Sequence, residues 1–268
     1  MTEKEIQIRA GDRPLDCYIA FPEGGPARHP AVVIVHEIFG VDAHMRDVAR
    51  RFAAEGYIGV APNLFTGEVQ RVMTPANIGL AMQSLAHVPP ELRRDPTKFA
   101  EFAATQPPER RPVLEAFAKV TSPKAQDGFA NDLRAVTQYL RGLPEVDPAR
   151  VGCVGFCFGG AMTARLATHD PDLRAAVIFY GQNPPLEEVP RIRASVLGLY
   201  GGEDKGISDT VPTLAETMQK EGKRFEYHIY PGAKHAFFND TRSQVYHPES
   251  AADAWKRVLA FFGRELRA

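Results

Sequence analysis

Cys157 stands between two glycines in the run Gly155-Phe156-Cys157-Phe158-Gly159, with the apolar stretch 151–155 ahead of it and a helical pattern at 159–168 behind it. A thiol on a sharp strand-to-helix turn is placed to act as a nucleophile. The turn lifts the side chain off the sheet, and glycines on either side avoid collisions with neighbouring backbone. The N-terminus of the following helix favours a thiolate and a developing oxyanion. Short Gly-rich patterns arise by chance, and the bland alternative is a small thiol buried in a tight turn. The weight lies in the placement between strand and helix, near the middle of the chain. Cys153, four residues earlier and inside the strand, reads as a core residue.

A nucleophile of this kind needs a base, and the base needs a group that orients it. The elbow resembles that of α/β-hydrolases, in which the acid and then the histidine follow the nucleophile along the chain. Asp204 lies in the loop Gly201-Gly202-Glu203-Asp204-Lys205 after the stretch 196–200, with Glu203 as the adjacent fallback. His235 lies in Pro231-Gly232-Ala233-Lys234-His235 after the stretch 225–230. Of the other histidines beyond Asp204, His228 falls inside a strand pattern and His247 just before Pro248 and the last helix. The expected triad is Cys157, His235 and Asp204. Its oxyanion donors would be the backbone N–H groups of Phe158 and Ile38.

These residues require a scaffold that brings strand ends together. Strand-like stretches occur at 6–9, 16–20, 31–36, 58–61, 151–155, 175–180, 196–200 and 225–230. Helical periodicity occurs at 42–55, 125–141, 159–168, 210–221 and 250–264. Alternation of this kind predicts an α/β fold: one domain over 1–268, with a mostly parallel central sheet of about eight strands flanked by helices. The first two strands, separated by GDRP, read as an antiparallel edge hairpin. Residues 65–123 contain no convincing strand and form a helical excursion, with helices expected at 76–86, 97–105 and 112–120. So long a connection suggests a cover over the site, and the plainer reading is a peripheral decoration.

Bulk properties narrow the classes. The 268 residues carry a net charge of −1 with mixed signs, unlike a nucleic-acid binder. No leader-like segment and no membrane-length apolar run stand out, and three cysteines do not make a disulfide framework, so a cytoplasmic location is expected. There is no C-x-x-C or H-x-x-x-H spacing, and the fourth residue after His36 is Gly40, so His36-Glu37 is not a zincin pair and no metal is expected. Neither a Walker motif nor a strand-linked G-x-G-x-x-G is present, so no cofactor is implied.

The elbow, His36-Glu37-Ile38-Phe39-Gly40, Ala61-Pro62-Asn63-Leu64-Phe65 and the Asp204 and His235 loops together make the chain resemble the dienelactone hydrolase family, the carboxymethylenebutenolidases, from about residue 5 onward. The resemblance implies an α/β-hydrolase fold and cofactor-free opening of an enol-lactone to maleylacetate, in bacterial chloroaromatic breakdown. Cys157, Asp204 and His235 match the family triad, and Glu37 matches the glutamate that assists ionisation of the thiol. Independently, a carboxylate there opposes ionisation at rest and can accept the proton when substrate binds; otherwise it caps or salt-bridges its loop. The chain departs from the family after the histidine, where Ala236 and Asn239 stand in place of a serine and a carboxylate-binding arginine. Arg71, Arg93, Arg94 and Arg242, with Tyr180, are therefore the substrate-binding candidates, and Arg110 and Arg111 join them as charges on the excursion. The expected partner is a small ester or lactone, anionic in the family, and the protein would act as a monomer or homodimer. The alternatives are a broad carboxylesterase or thioesterase, and a non-catalytic ligand-binding or redox-sensing thiol protein.

Overall fold

The computed structural model describes residues 1–268 apart from 26, 86, 87, 90, 91, 93, 94 and 268. Eight strands form one sheet: β1 (Thr2–Ala10), β2 (Arg13–Phe21), β3 (His29–Val35), β4 (Ile58–Pro62), β5 (Val146–Phe156), β6 (Ala175–Phe179), β7 (Ser195–Gly201) and β8 (Phe225–Tyr230). Their spatial order is β1-β2-β4-β3-β5-β6-β7-β8. β2 runs antiparallel to both β1 and β4, and all other neighbours are parallel. The expected edge hairpin is therefore present, and the inner parallel strands are the apolar ones, whereas β8 at the far edge is half polar. β3, β4, β6 and β7 are almost wholly buried, as strands covered on both faces must be.

Helices fill the crossovers. α1 (Ala43–Ala54) joins β3 to β4, and α2 (Gly67–Val72), α3 (Pro75–Leu85), α4 (Pro96–Thr105), α5 (Arg111–Thr121) and α6 (Pro123–Arg141) lie between β4 and β5. α7 (Phe158–His169) follows β5, α8 (Lys205–Ser208) and α9 (Val211–Lys220) follow β7, and α10 (Pro248–Leu266) ends the fold. Phe129, Leu133, Val136 and Leu140 repeat at helical spacing along α6 and face the sheet, beside α7 and α9. α1 and α10 cover the opposite face. The Asp42 side chain accepts from Met45 N–H at 3.0 Å and caps α1, a bond of the kind that contributes about 1 kcal/mol. Among the described residues no helix is long and apolar enough to cross a membrane.

The excursion is a packed subassembly. Ile78, Leu85, Phe99, Val113 and Leu114 are buried in the same core as α6, and burial of such a side chain is worth roughly 1.5–3 kcal/mol. Its helices stack on one another and on α6. Its first residue and the helix that follows it converge on the elbow: the rings of Phe65 and of Phe129 on α6 lie 5.3 and 5.5 Å from that of Phe158, the residue after Cys157. The edge strands run longer than expected, β1 over Thr2–Ala10 and β2 over Arg13–Phe21, and two further details differ from the sequence expectation. β5 begins at Val146 rather than 151, because His29 pairs with Val146 ahead of a register shift that absorbs the polar Asp-Pro-Ala-Arg stretch. The first helix of the excursion, α2, was not expected, since a one-and-a-half-turn helix opening on Gly67 shows little periodicity.

Candidate active site

The elbow takes the form that its glycines permit. Cys157 has φ 55° and ψ −114°; its N–H donates to Phe179 O at 3.1 Å, and its carbonyl accepts from Ala161 N–H at 3.1 Å. A Cβ on Gly155 would stand 2.0 Å from Gly159 O, and one on Gly159 would stand 2.1 Å from Val35 O. Side chains at those positions are therefore excluded by backbone. The other two thiols differ in kind. Cys17 and Cys153 are fully buried, and burial pushes both up to about 12, which leaves them inert beside the partly exposed Cys157.

The loops after β7 and β8 bring the other two residues together. Asp204 Oδ2 accepts from His235 Nδ1 at 2.5 Å, a bond that fixes the tautomer and leaves the other ring nitrogen for the thiol. Burial alone would pull the imidazole down. The facing Cys157 sulfur and the Asp204 carboxylate override it and push His235 up to about 11, favouring the imidazolium. Glu203 is exposed. His228 stays in β8, and His247 caps α10 by accepting from Ser250 N–H.

Glu37 is buried, and each of its carboxylate oxygens is held: Oε1 accepts from Tyr180 OH at 3.3 Å and Oε2 from Asn239 Nδ2 at 2.9 Å. The Asn239 amide cannot flip, because its Oδ1 accepts from Thr241 N–H and Oγ1. Tyr180 keeps its proton, raised well above the usual phenol range by burial first and then by the negative charge of Glu37 and Cys157. Its ring packs 5.1 Å from that of His235. Cys157, Tyr180 and Ala236, all at this site, are the non-glycine residues with positive φ among the described residues. Strain of this kind gathers where geometry serves chemistry. Neither Asn239 nor the strain at Tyr180 and Ala236 was predicted from sequence. Asn239 was noted there only as the missing arginine.

The two proposed oxyanion donors, the N–H groups of Ile38 and Phe158, have no hydrogen-bond partner among the described residues. The loop carrying Ile38 is tied down by His36, which is fully buried. His36 Nε2 accepts from Leu64 N–H at 3.0 Å, and Nδ1 contacts Glu37 O at 2.6 Å. Burial pulls this imidazole down to about 4, against the opposing pull of its bond to Glu37 O and the charge of Asp42. The unfolded chain therefore takes up a proton below pH 6.5 that the folded chain refuses until about pH 4, and stability falls with pH across that window. The contribution is about 3 kcal/mol. Unfolding by denaturant at pH 7 and pH 4 should show wild type losing its advantage over His36→Asn as the pH drops. A gap between the two chains that does not change with pH would show that His36 titrates normally.

The arginine candidates separate. Arg242 lies on the turn after His235, its guanidinium 5.2 Å from the Phe39 ring centroid and electrostatically coupled to Tyr180. Arg71 is exposed in the last turn of α2 and makes no hydrogen bond or ion pair with the site among the described residues. Arg110 bonds Ser84 and Arg111 bonds Gln106 O, both within the excursion. Arg93 and Arg94 lie outside the described residues.

Comparison with known proteins agrees with this architecture. The model of the dienelactone hydrolase family matches residues 15–266. A Saccharolobus solfataricus protein named "Putative carboxymethylenebutenolidase" is 35% identical over 263 residues, which cover 98% of each chain. A Methylorubrum extorquens protein of the same name is 34% identical over 270 residues, covering 96% of this chain and 79% of that one. The crystal structure of a Klebsiella pneumoniae protein titled "Putative Dienelactone Hydrolase" superposes with a TM-score of 0.72 at 32% identity, over 98% of each chain. With its eight-stranded sheet and its flanking helices, the chain belongs to the dienelactone hydrolase family and has the α/β-hydrolase fold.

Proposed function

We propose that the protein is a cysteine-dependent hydrolase of lactone or carboxylic ester bonds, working as one α/β unit with its helical excursion. The Cys157 thiolate attacks the carbonyl carbon to form a C–S bond and a tetrahedral oxyanion, whose collapse breaks the C–O bond and leaves the acyl group on the enzyme as a thioester. His235 supplies a proton to an alkoxide leaving group and then takes one from the water that releases the acid. With an enol-lactone, the ring-opened enolate stays in the acyl group and can itself take that proton. The N–H groups of Ile38 and Phe158 stabilise the tetrahedral oxyanion. The observation that carries this reading is the 2.5 Å bond from His235 to Asp204, on a ring that also faces the Cys157 sulfur.

Arg242 supports an anionic substrate class. Its guanidinium has no ion-pair partner among the described residues and lies over Phe39, next to the Ile38 oxyanion donor. It suits a substrate carboxylate, as in the carboxymethylene group that the relatives' names carry. The test compares a carboxylate-bearing ester with its neutral methyl-ester analogue across a range of salt. The anionic compound should be preferred by about 10-fold or more, as expected for a charge-assisted contact, and Arg242→Ala should remove the preference. A preference for the neutral ester that Arg242→Ala leaves unchanged would make the protein a general carboxylesterase.

A further inference from the structure

The Glu37–Ile38 peptide unit is the one whose N–H the reaction needs, and its carbonyl is clamped from two directions. Gly40 N–H donates to Glu37 O at 3.3 Å, and His36 Nδ1 lies 2.6 Å from the same oxygen. The His36 tautomer is settled by the other end of the ring. Nε2 accepts from Leu64 N–H, so the proton of the neutral imidazole is on Nδ1 and is donated to Glu37 O. In a planar trans peptide the C=O and N–H point in opposite directions, and the described chain contains no cis bond. Fixing the Glu37 carbonyl therefore fixes the direction of the Ile38 N–H. That N–H is otherwise unbonded, on a loop that the close approach of Gly159 to Val35 O and His36 O seats against the elbow. His36 itself has no freedom to turn: it is 0% exposed, with the Phe65 ring edge-on at 4.8 Å and the Phe158 ring stacked at 6.0 Å.

We propose that His36 is a positioning residue for the oxyanion hole, a neutral strut that holds the Ile38 N–H toward the reacting carbonyl and is itself braced by Leu64 at the foot of the excursion. The proposal rests on the hydrolase reading above. It gives a buried, uncharged histidine a part in the reaction without contact with the substrate.

Two substitutions divide the strut into its halves. His36→Asn can keep a donor where Nδ1 stands and loses the brace to Leu64. His36→Gln can keep an acceptor where Nε2 stands and leaves Glu37 O without its side-chain donor. Each chain is tested for acylation of Cys157 by an activated ester, for kcat and KM, and for alkylation of Cys157 by iodoacetamide. Alkylation occurs at a saturated carbon and develops no oxyanion, so it reports the thiol alone. We expect His36→Gln to slow acylation and kcat about 100-fold, the lower end of the loss of one oxyanion donor, with KM and alkylation near wild type. His36→Asn should recover most of the rate. Acylation by His36→Gln at the wild-type rate overturns the proposal, and so does an equal fall of acylation and alkylation in both variants, which would mark His36 as a packing residue. Should His36→Gln fail to fold, His36→Asn decides alone: a ratio of acylation to alkylation near that of wild type supports the strut, and a ratio about 100-fold lower overturns it. A wild-type chain that is alkylated at Cys157 but never acylated would overturn the hydrolase reading and this proposal together.

Discussion

Cys157→Ala should release no acyl burst from an activated ester, and its kcat should fall by about 10⁴-fold or more, the usual cost of losing a member of a catalytic triad. The chain should still fold. The substitution removes only a partly exposed sulfur, and the hydrogen bonds that hold the elbow, from Cys157 N–H to Phe179 O and from Ala161 N–H to Cys157 O, belong to the backbone. Alanine tolerates the positive φ at this position about as poorly as cysteine does, so the strain is unchanged in kind. Wild-type protein, by contrast, should release one equivalent of alcohol or phenol per chain before the steady state. Purified Cys157→Ala that hydrolyses at close to the wild-type rate would remove Cys157 from the mechanism.

His235→Ala should cost nearly as much, on the order of 10⁴-fold in kcat, because triad members act as a unit. It should also slow iodoacetamide at Cys157 near neutral pH, since the raised His235 is the cation that faces the sulfur. Glu37→Gln provides the comparison. Gln keeps the shape and can still accept from Tyr180, but it cannot take a proton, and its amide would face the Asn239 Nδ2 donor. Its loss should be smaller than that of His235→Ala, within the 10²–10⁴-fold range usual for one acid–base group, with less effect on KM. Wild-type activity of Glu37→Gln at every pH tested would make Glu37 a structural residue of its loop.

The parts of the site that were legible in the sequence share one property: each is defined by local chain geometry. Gly155 and Gly159 mark the elbow because no other residue fits the backbone contacts there. Asp204 and His235 were legible because the fold fixes their order and each follows a strand end. Asn239 and His36 were not. Asn239 meets Glu37 across 202 residues of sequence, and the partner of His36 Nε2 is a backbone N–H 28 residues away. No residue type or spacing encodes such meetings. Among the arginines the sequence could not choose, for a different reason: a surface charge and a substrate-binding charge look alike in a sequence. Only the packing of Arg242 over Phe39 separates it from Arg110 and Arg111, whose bonds stay within the excursion.

The positive φ angles of Cys157, Tyr180 and Ala236 also bear on how this protein could be improved by selection. Each strained position holds of the order of 1–3 kcal/mol, which the core has to offset. A screen for heat resistance alone would therefore be drawn toward glycine where the side chain is small, at 157 and 236, and not at Tyr180, whose fully buried ring would leave a cavity that costs more than the strain relieved. Cys157→Gly would delete the thiol. Ala236→Gly would loosen the residue next to His235 while leaving every reactive atom in place. A library enriched for thermal survival without an activity filter would then fill with well-folded, catalytically impaired chains. The residue most open to that drift is Ala236, which carries no functional group of its own.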